Sequence, residues 1–268
     1  MHIMKTFRAR LFLILAALVL PLLLAYCATT PYTGRTQIMM VSQSEELALG
    51  EQAAREILKE EKLSQDPAIN AQVRRIGERI AAVSSRPDFK WEFFVIDKDV
   101  ANAFVLPGGK VFVYTGILKY ATDDAELATV MGHEVAHALL RHGAERMSMA
   151  MAAQGVGTIG AIAIGGAAGS GAGQVFAQSY GLAANVGVIL PFSRRQEEEA
   201  DHVGLRLMAE AGYDPAKALE FWQNMADDED AAKRPPTFLS THPATQDRIE
   251  NIRALVPWAR GFYRPRTS

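Results

Sequence analysis

Between positions 123 and 140 apolar residues recur at helical spacing. Leu127, Met131, Val135, Ala138 and Leu139 form one stripe, and Val130, Ala136 and Leu140 carry apolar character round most of the circumference. The pattern predicts a buried helix. Asp123 and Glu126 have the spacing of a capping box, and the acidic pair Asp123-Asp124 suits the positive end of a helix dipole, so the helix is expected to start there. A second helix is predicted from Ser193, with Gln196 completing a capping box and Gly212 as the C-terminal stop. Its apolar stripe is Ala200, Val203, Gly204, Leu207, Met208 and Ala211. Upstream, after an early helical region, Trp91–Ile96 and Val111–Tyr114 read as strands, and Pro107-Gly108-Gly109 supplies a turn. The expected fold class is α+β, mainly helical, with a small sheet beside the first of these helices.

Chemistry enters through the polar positions of the buried helix. His133 and His137 are four residues apart, so both imidazoles leave one helical face and can grip a single metal ion. Glu134 points one step round, where a carboxylate can take a proton from metal-bound water. Burying these groups unpaired would cost several kcal/mol, on the order of 2–7 per polar group, and one Zn2+ with its water would satisfy them. A catalytic site also needs a third protein ligand and an open position. His142 falls about half a turn away on a continued helix at 100° per residue, so it is not expected to join them. On the second helix Glu197 and Asp201 lie on the apolar stripe, whereas Glu198, Glu199, His202 and Arg206 lie on the opposite arc and read as a solvated face. Glu197 is therefore the candidate third ligand. Asp201, one turn on, is the candidate acceptor for the free ring N–H of a ligating histidine.

Four segments together resemble a known family, the M48 zinc metallopeptidases of the gluzincin group, with its LoiP-, BepA- and Oma1-like members. They are Asn102-Ala103-Phe104-Val105-Leu106-Pro107-Gly108-Gly109, His133 to His137, Glu197-Glu198-Glu199-Ala200-Asp201, and Thr241-His242-Pro243 followed by Arg248. The resemblance implies a gluzincin-type domain with one catalytic Zn2+. It implies His133, His137 and Glu197 as ligands, Glu134 as general base, and an edge strand at Asn102, Ala103 and Phe104 that binds substrate as an added strand. By the same resemblance His242 is a fourth, inhibitory ligand that holds the enzyme latent, and Arg248 stabilises the oxyanion. From the residues themselves, Pro243 favours the first helical position, which puts His242 at a helix N-cap where the dipole opposes its protonation.

The amino terminus reads as an export signal over residues 1–26, with Lys5, Arg8 and Arg10 ahead of an apolar run from Leu11 to Leu24. Cys27 is the single cysteine and its setting resembles a lipoprotein cleavage site, although Tyr26 stands where a small residue is expected. This predicts a lipid anchor on the periplasmic side of a bacterial outer membrane, or a soluble periplasmic protein if cleavage occurs elsewhere. Residues 27–268 are then one catalytic domain. A net charge of −2 argues against nucleic acid as partner. Gly155–Gly173 is too rich in glycine for a stable helix and reads as a mobile cover or a tightly packed segment beside the cleft, with a membrane-dipping element as the weaker reading. Asp227–Pro236 reads as a solvated loop. The expected function is a zinc metalloendopeptidase that cleaves unfolded or misfolded envelope proteins alongside the envelope assembly machinery. The alternative is a latent protease that acts mainly as a chaperone-like holding factor.

Overall fold

A computed structural model describes residues 27–163, 175, 179, 180, 192–227 and 237–265, with the backbone alone for 154–163. The chain enters as a hairpin of β1 (Cys27–Thr29) and β2 (Thr36–Ile38), paired antiparallel with Ala28 opposite Gln37. Tyr32 and Gly34, both at positive φ, close the loop between them. The Tyr32 hydroxyl donates to the Ser84 carbonyl at 2.8 Å and ties the hairpin to the end of the second of two amphipathic helices. These are α1 (Gln43–Glu60), opened by the Ser42–Glu45 capping box, and α2 (Pro67–Val83), capped by Asp66 with Pro67 at its first position.

The sheet comprises β3 (Glu92–Ile96), β4 (Ala103–Leu106) and β5 (Lys110–Tyr114), in the order β3-β5-β4. β5 pairs parallel with β3 and antiparallel with β4, and Gly108 and Gly109, at φ 89° and 94°, form the turn from β4 into β5. The alternation of side chains across the strands divides the core. Val95, Ala103, Val105, Val111 and Val113 join the main core. Ile96, Phe104, Leu106 and Phe112 join a second cluster, where Phe112 stacks between Phe94 and Phe104 at 5.0 and 4.9 Å. Among the described residues β4 pairs with β5 alone, so it is an edge strand.

A 3-10 turn (Thr115–Lys119) leads to α3 (Asp124–Leu139), whose residues from Glu126 to Leu139 are all buried. Asp123 caps it by accepting from the Ala125 and Glu126 amides. The capping box expected with Glu126 is not reciprocal, because the Glu126 carboxylate reaches past Asp123 to the Thr122 amide and hydroxyl at 2.6 and 2.7 Å. After α3 the chain passes through Arg141 at φ 56° and starts a separate helix, α4 (His142–Ala163). The segment expected to be non-helical because of its glycines is therefore helical up to Ala163. Its remainder, and residues 228–236 of the expected loop, lie outside the described residues. No helix of the described residues is long and apolar enough to cross a membrane.

The second predicted helix is α5 (Arg194–Glu210), opened by the reciprocal Ser193–Gln196 box and followed by Gly212 at φ 91°. It crosses α3 where Gly132 meets Gly204. A Cβ on Gly204 would lie 2.9 Å from the His133 amide nitrogen, closer than side chains approach. That crossing brings the α5 carboxylates against the α3 histidines. α6 (Lys217–Asp227), the short α7 (Thr237–Thr241) and α8 (Gln246–Arg260) close the far side, burying Trp222, Phe221 and Phe238.

Candidate metal centre

His133, His137, Glu197 and His242 each present one donor atom, and these four atoms lie within 4.8 Å of one another. His133 Nε2 is 3.0 Å from His137 Nε2 and 3.1 Å from His242 Nδ1. Glu197 Oε1 is 2.9 Å from His242 Nδ1 and 3.3 Å from His137 Nε2. Zinc bonded tetrahedrally at about 2.0–2.1 Å has ligand atoms about 3.3 Å apart, so the spacing and the N/O donor set fit that ion. Imidazole lone pairs that face one another this closely in a buried site also require either a shared proton or a cation. All four side chains are buried.

Glu134, also buried, faces the same centre. Its Oε1 has no hydrogen-bond partner, although His242 Nε2 lies 3.3 Å away. Burial pushes the Glu134 carboxyl up to about 8, with His133 opposing and the charge of Glu197 adding to the rise. Burial likewise pushes His242 down to about 4, against the pull of Glu197.

Asp201 Oδ1 lies 2.9 Å from His133 Nδ1, so the nitrogen that faces away from the cluster has a carboxylate acceptor. Arg248 is engaged with carboxylates on two sides. Its Nε and Nη2 donate to the two Asp201 oxygens at 2.8 and 2.7 Å, and its Nη1 pairs with Glu197 Oε2 at 2.7 Å. The guanidinium also lies flat against Trp222, 3.6 Å from the ring centroid. An arginine committed in this way holds two carboxylates still.

His242 is not at a helix N-cap. It follows α7, where its amide donates to the Phe238 carbonyl at 2.8 Å, and the cap of α8 is Thr245. Its low basicity thus comes from burial and not from a helix dipole. Its ring is stacked on Phe192, which also lies 4.0 Å from the His137 ring centroid. Asn102, Ala103 and Phe104 line the recess beside Glu134 and His137, together with His242, Phe192 and Tyr180. The free space is about 20 Å³. That is room for about one water at the foot of the recess.

Helical periodicity missed a cluster behind His137. Glu199, expected in solvent, is 8% exposed, and it pairs with Arg35 Nε at 2.6 Å and the Thr33 hydroxyl at 2.7 Å. The same Arg35 grips Glu145 of α4 with both terminal nitrogens. His142 is fully buried, with Nε2 3.2 Å from Glu199 Oε2 and Nδ1 2.9 Å from His137 Nδ1. It reaches His137 because the positive φ at Arg141 ends α3, so the half-turn offset of a continuous helix does not apply. The available signal was the co-occurrence of Arg35, the single charged residue of the hairpin, with surplus acids on α4 and α5, and a wheel drawn on one helix does not combine them.

Residues 67–256 match the model for Peptidase family M48. The chain is 36% identical to the mitochondrial metalloendopeptidase OMA1 of Schizosaccharomyces pombe, over 85% of this chain and 66% of that protein. It is 32% identical to the Saccharomyces cerevisiae protein of the same name, over 87% and 70%. With the β-barrel assembly-enhancing protease of Escherichia coli it shares 27% identity, over 84% and 46%. The chain thus spans between about half and about two thirds of the length of these relatives. The mitochondrial naming of the fungal proteins, and of a Bos taurus relative at 33% identity, overturns the expected periplasmic outer-membrane location, lipid-anchored or soluble. Basic residues without acidic ones near an amino terminus are common to targeting segments for different compartments, and they do not discriminate between them. Residues 1–26 lie outside the described residues, and Cys27 is exposed in β1.

Proposed function

This chain belongs to peptidase family M48, and on that premise we propose that residues 27–268 form the catalytic domain of a zinc metalloendopeptidase acting on extended segments of unfolded or misfolded proteins. The observation that carries the reading is the convergence of the His133, His137, Glu197 and His242 donor atoms beside the underpartnered carboxylate of Glu134. Zinc bound there supplies Lewis-acid polarisation of the scissile carbonyl and lowers the pKa of water.

The residues of the chain do the rest. Glu134, which faces the cluster with an unpartnered carboxylate oxygen, accepts the proton of the attacking water and passes it to the leaving nitrogen. Asp201 keeps the His133 Nδ1 proton, which leaves Nε2 as the donor toward the cluster. Arg248 neutralises Asp201 and Glu197 and so acts through them. Strand β4 offers its unpaired edge beside Glu134. Main-chain pairing there accepts many sequences, and unfolded chains present such segments far more readily than folded ones.

A second reading rests on His242. Its Nδ1 takes a fourth donor position and its stack with Phe192 narrows the recess, which favours a latent resting state in which the cleft mainly holds clients. The deciding experiment follows cleavage of an unfolded protein by the chain and by Glu134→Gln, each with and without a zinc chelator. Cleavage abolished by either treatment supports the peptidase. Zinc and client binding without cleavage, followed by a gain of cleavage in His242→Ala, supports latency; absence of zinc binding refutes both.

A further inference from the structure

The cluster behind His137 has a direction. Glu199 Oε2 is a carboxylate oxygen and can only accept, so the 3.2 Å contact assigns its proton to His142 Nε2. A neutral His142 protonated there has a lone pair on Nδ1. That lone pair faces His137 Nδ1 at 2.9 Å, so His137 must be the donor and carries its proton on Nδ1. Its Nε2 is then unprotonated, and this is the atom that lies 3.0 Å from His133 Nε2 and 3.3 Å from Glu197 Oε1 in the ligand cluster.

Glu199 is itself held in place. Its Oε2 also accepts from Arg35 Nε at 2.6 Å and its Oε1 from the Thr33 hydroxyl at 2.7 Å. The Arg35 guanidinium spans to Glu145, which in turn accepts from Gln196 Nε2 at 2.7 Å. The β1–β2 hairpin thus staples α4 to α5 at the point where Glu199 faces His142. Arg35 offsets the charges of both acids, so the carboxylate that orients His142 is not an uncompensated buried charge.

From this we infer that Glu199 and His142 are positioning residues for His137: they act in series, carboxylate to imidazole to imidazole, to fix the tautomer that presents His137 Nε2 to the metal, with Arg35 of the hairpin orienting the carboxylate. The inference rests on the metal centre proposed above. It differs from the support of His133, where a single carboxylate is in direct contact, because here an extra histidine transmits the orientation across one more helix.

The test measures zinc affinity of the full chain by chelator competition, with thermal melting as a fold control, and reads tautomers from long-range 1H–15N spectra of the imidazoles. His142→Phe keeps a ring but removes the acceptor, and zinc affinity is expected to fall by about 10- to 100-fold, the range for loss of a residue that orients a ligand. His142→Asn returns an acceptor oxygen near the Nδ1 position and is expected to recover most of that loss, which a purely space-filling role would not produce. In the zinc-loaded wild type His142 is expected as the Nε2–H tautomer and His137 as Nδ1–H. Wild-type affinity in His142→Phe, or a His142 proton found on Nδ1, would overturn the inference alone. A wild-type chain with no zinc affinity would overturn it together with the metal centre. Should His142→Phe fail to fold, the wild-type tautomer spectrum decides.

Discussion

The two histidines of α3 face the same cluster but are supported in different ways. Behind His133, one carboxylate from α5 touches the ring directly, and one arginine from α8 neutralises it. Behind His137 the chain of contacts is longer, running through His142 to Glu199 and then to Arg35 of the amino-terminal hairpin. The first support lies among the core helices. The second depends on a hairpin about 100 residues away in sequence, held to the body by the Tyr32 hydroxyl and by the ion pairs of Arg35 itself. A direct support is lost only if the helix crossing changes, whereas a relayed support can be loosened from the periphery.

The largest effect is expected on the His133 side. Arg248→Met leaves Asp201 and Glu197 buried without their counter-charge, which should cost about 3–5 kcal/mol in denaturant unfolding of the metal-free chain. A loss under about 1 kcal/mol would mean that the two acids are protonated or hydrated and that the contrast drawn here is wrong. Gly204→Ala strikes both sides at once, because the new methyl meets the His133 amide and must push α5 away from α3. Overpacking of this kind costs about 1–3 kcal/mol. Equilibrium melts together with zinc titration should show a parallel loss of stability and affinity.

On the His137 side the expected effect depends on pH. Burial alone would raise the Glu199 carboxyl, yet hydrogen bonds from His142, Thr33 and Arg35 outweigh it and hold the group down at about 2. A carboxylate with a depressed folded-state pKa adds stability that is complete above its unfolded value of about 4.3 and fades as pH falls toward 2. Acid unfolding curves of Glu199→Gln should therefore be fully separated from those of the wild type above about pH 5, draw together as pH falls through 4, and converge only near about pH 2. Parallel curves throughout would detach Glu199 from the relay. The smallest effect belongs to Glu198, exposed between the two buried acids, where Glu198→Ala should change stability by no more than about 0.5 kcal/mol in the same melts.

The contrast also separates what could be read along the chain from what could not. The α3 and α5 helices, their caps at Asp123 and Ser193, and the strands β3 and β5 followed from short-range patterns, whereas the edge strand β4 followed from the family resemblance. The placement of Glu197 and Asp201 on the inner face of α5 followed from its apolar stripe. That same wheel put Glu199 in solvent, because a stripe reports only the largest apolar contact of a helix. It is blind to a second, polar partner on another side, which here is the hairpin. His142 was set aside by the geometry of a continuous helix, and the left-handed residue Arg141, held by Glu46 and the Val41 carbonyl, breaks that continuity.

By itself, then, the sequence determined the local elements and the identity of the donors on α3 and α5, because residue spacing and apolar periodicity act within one or two helical turns. Tertiary structure alone decided that Arg248 is committed to two carboxylates, that Arg35 reaches the acids behind His137, and that His242, which the family resemblance had already placed at the metal, comes to those donors from a loop after α7. Each of these joins residues about 45 to 165 positions apart. Such pairings are set by how whole elements pack, and above all by the Gly132–Gly204 crossing that brings α5 against α3. No periodicity within a single element encodes the distance between two of them.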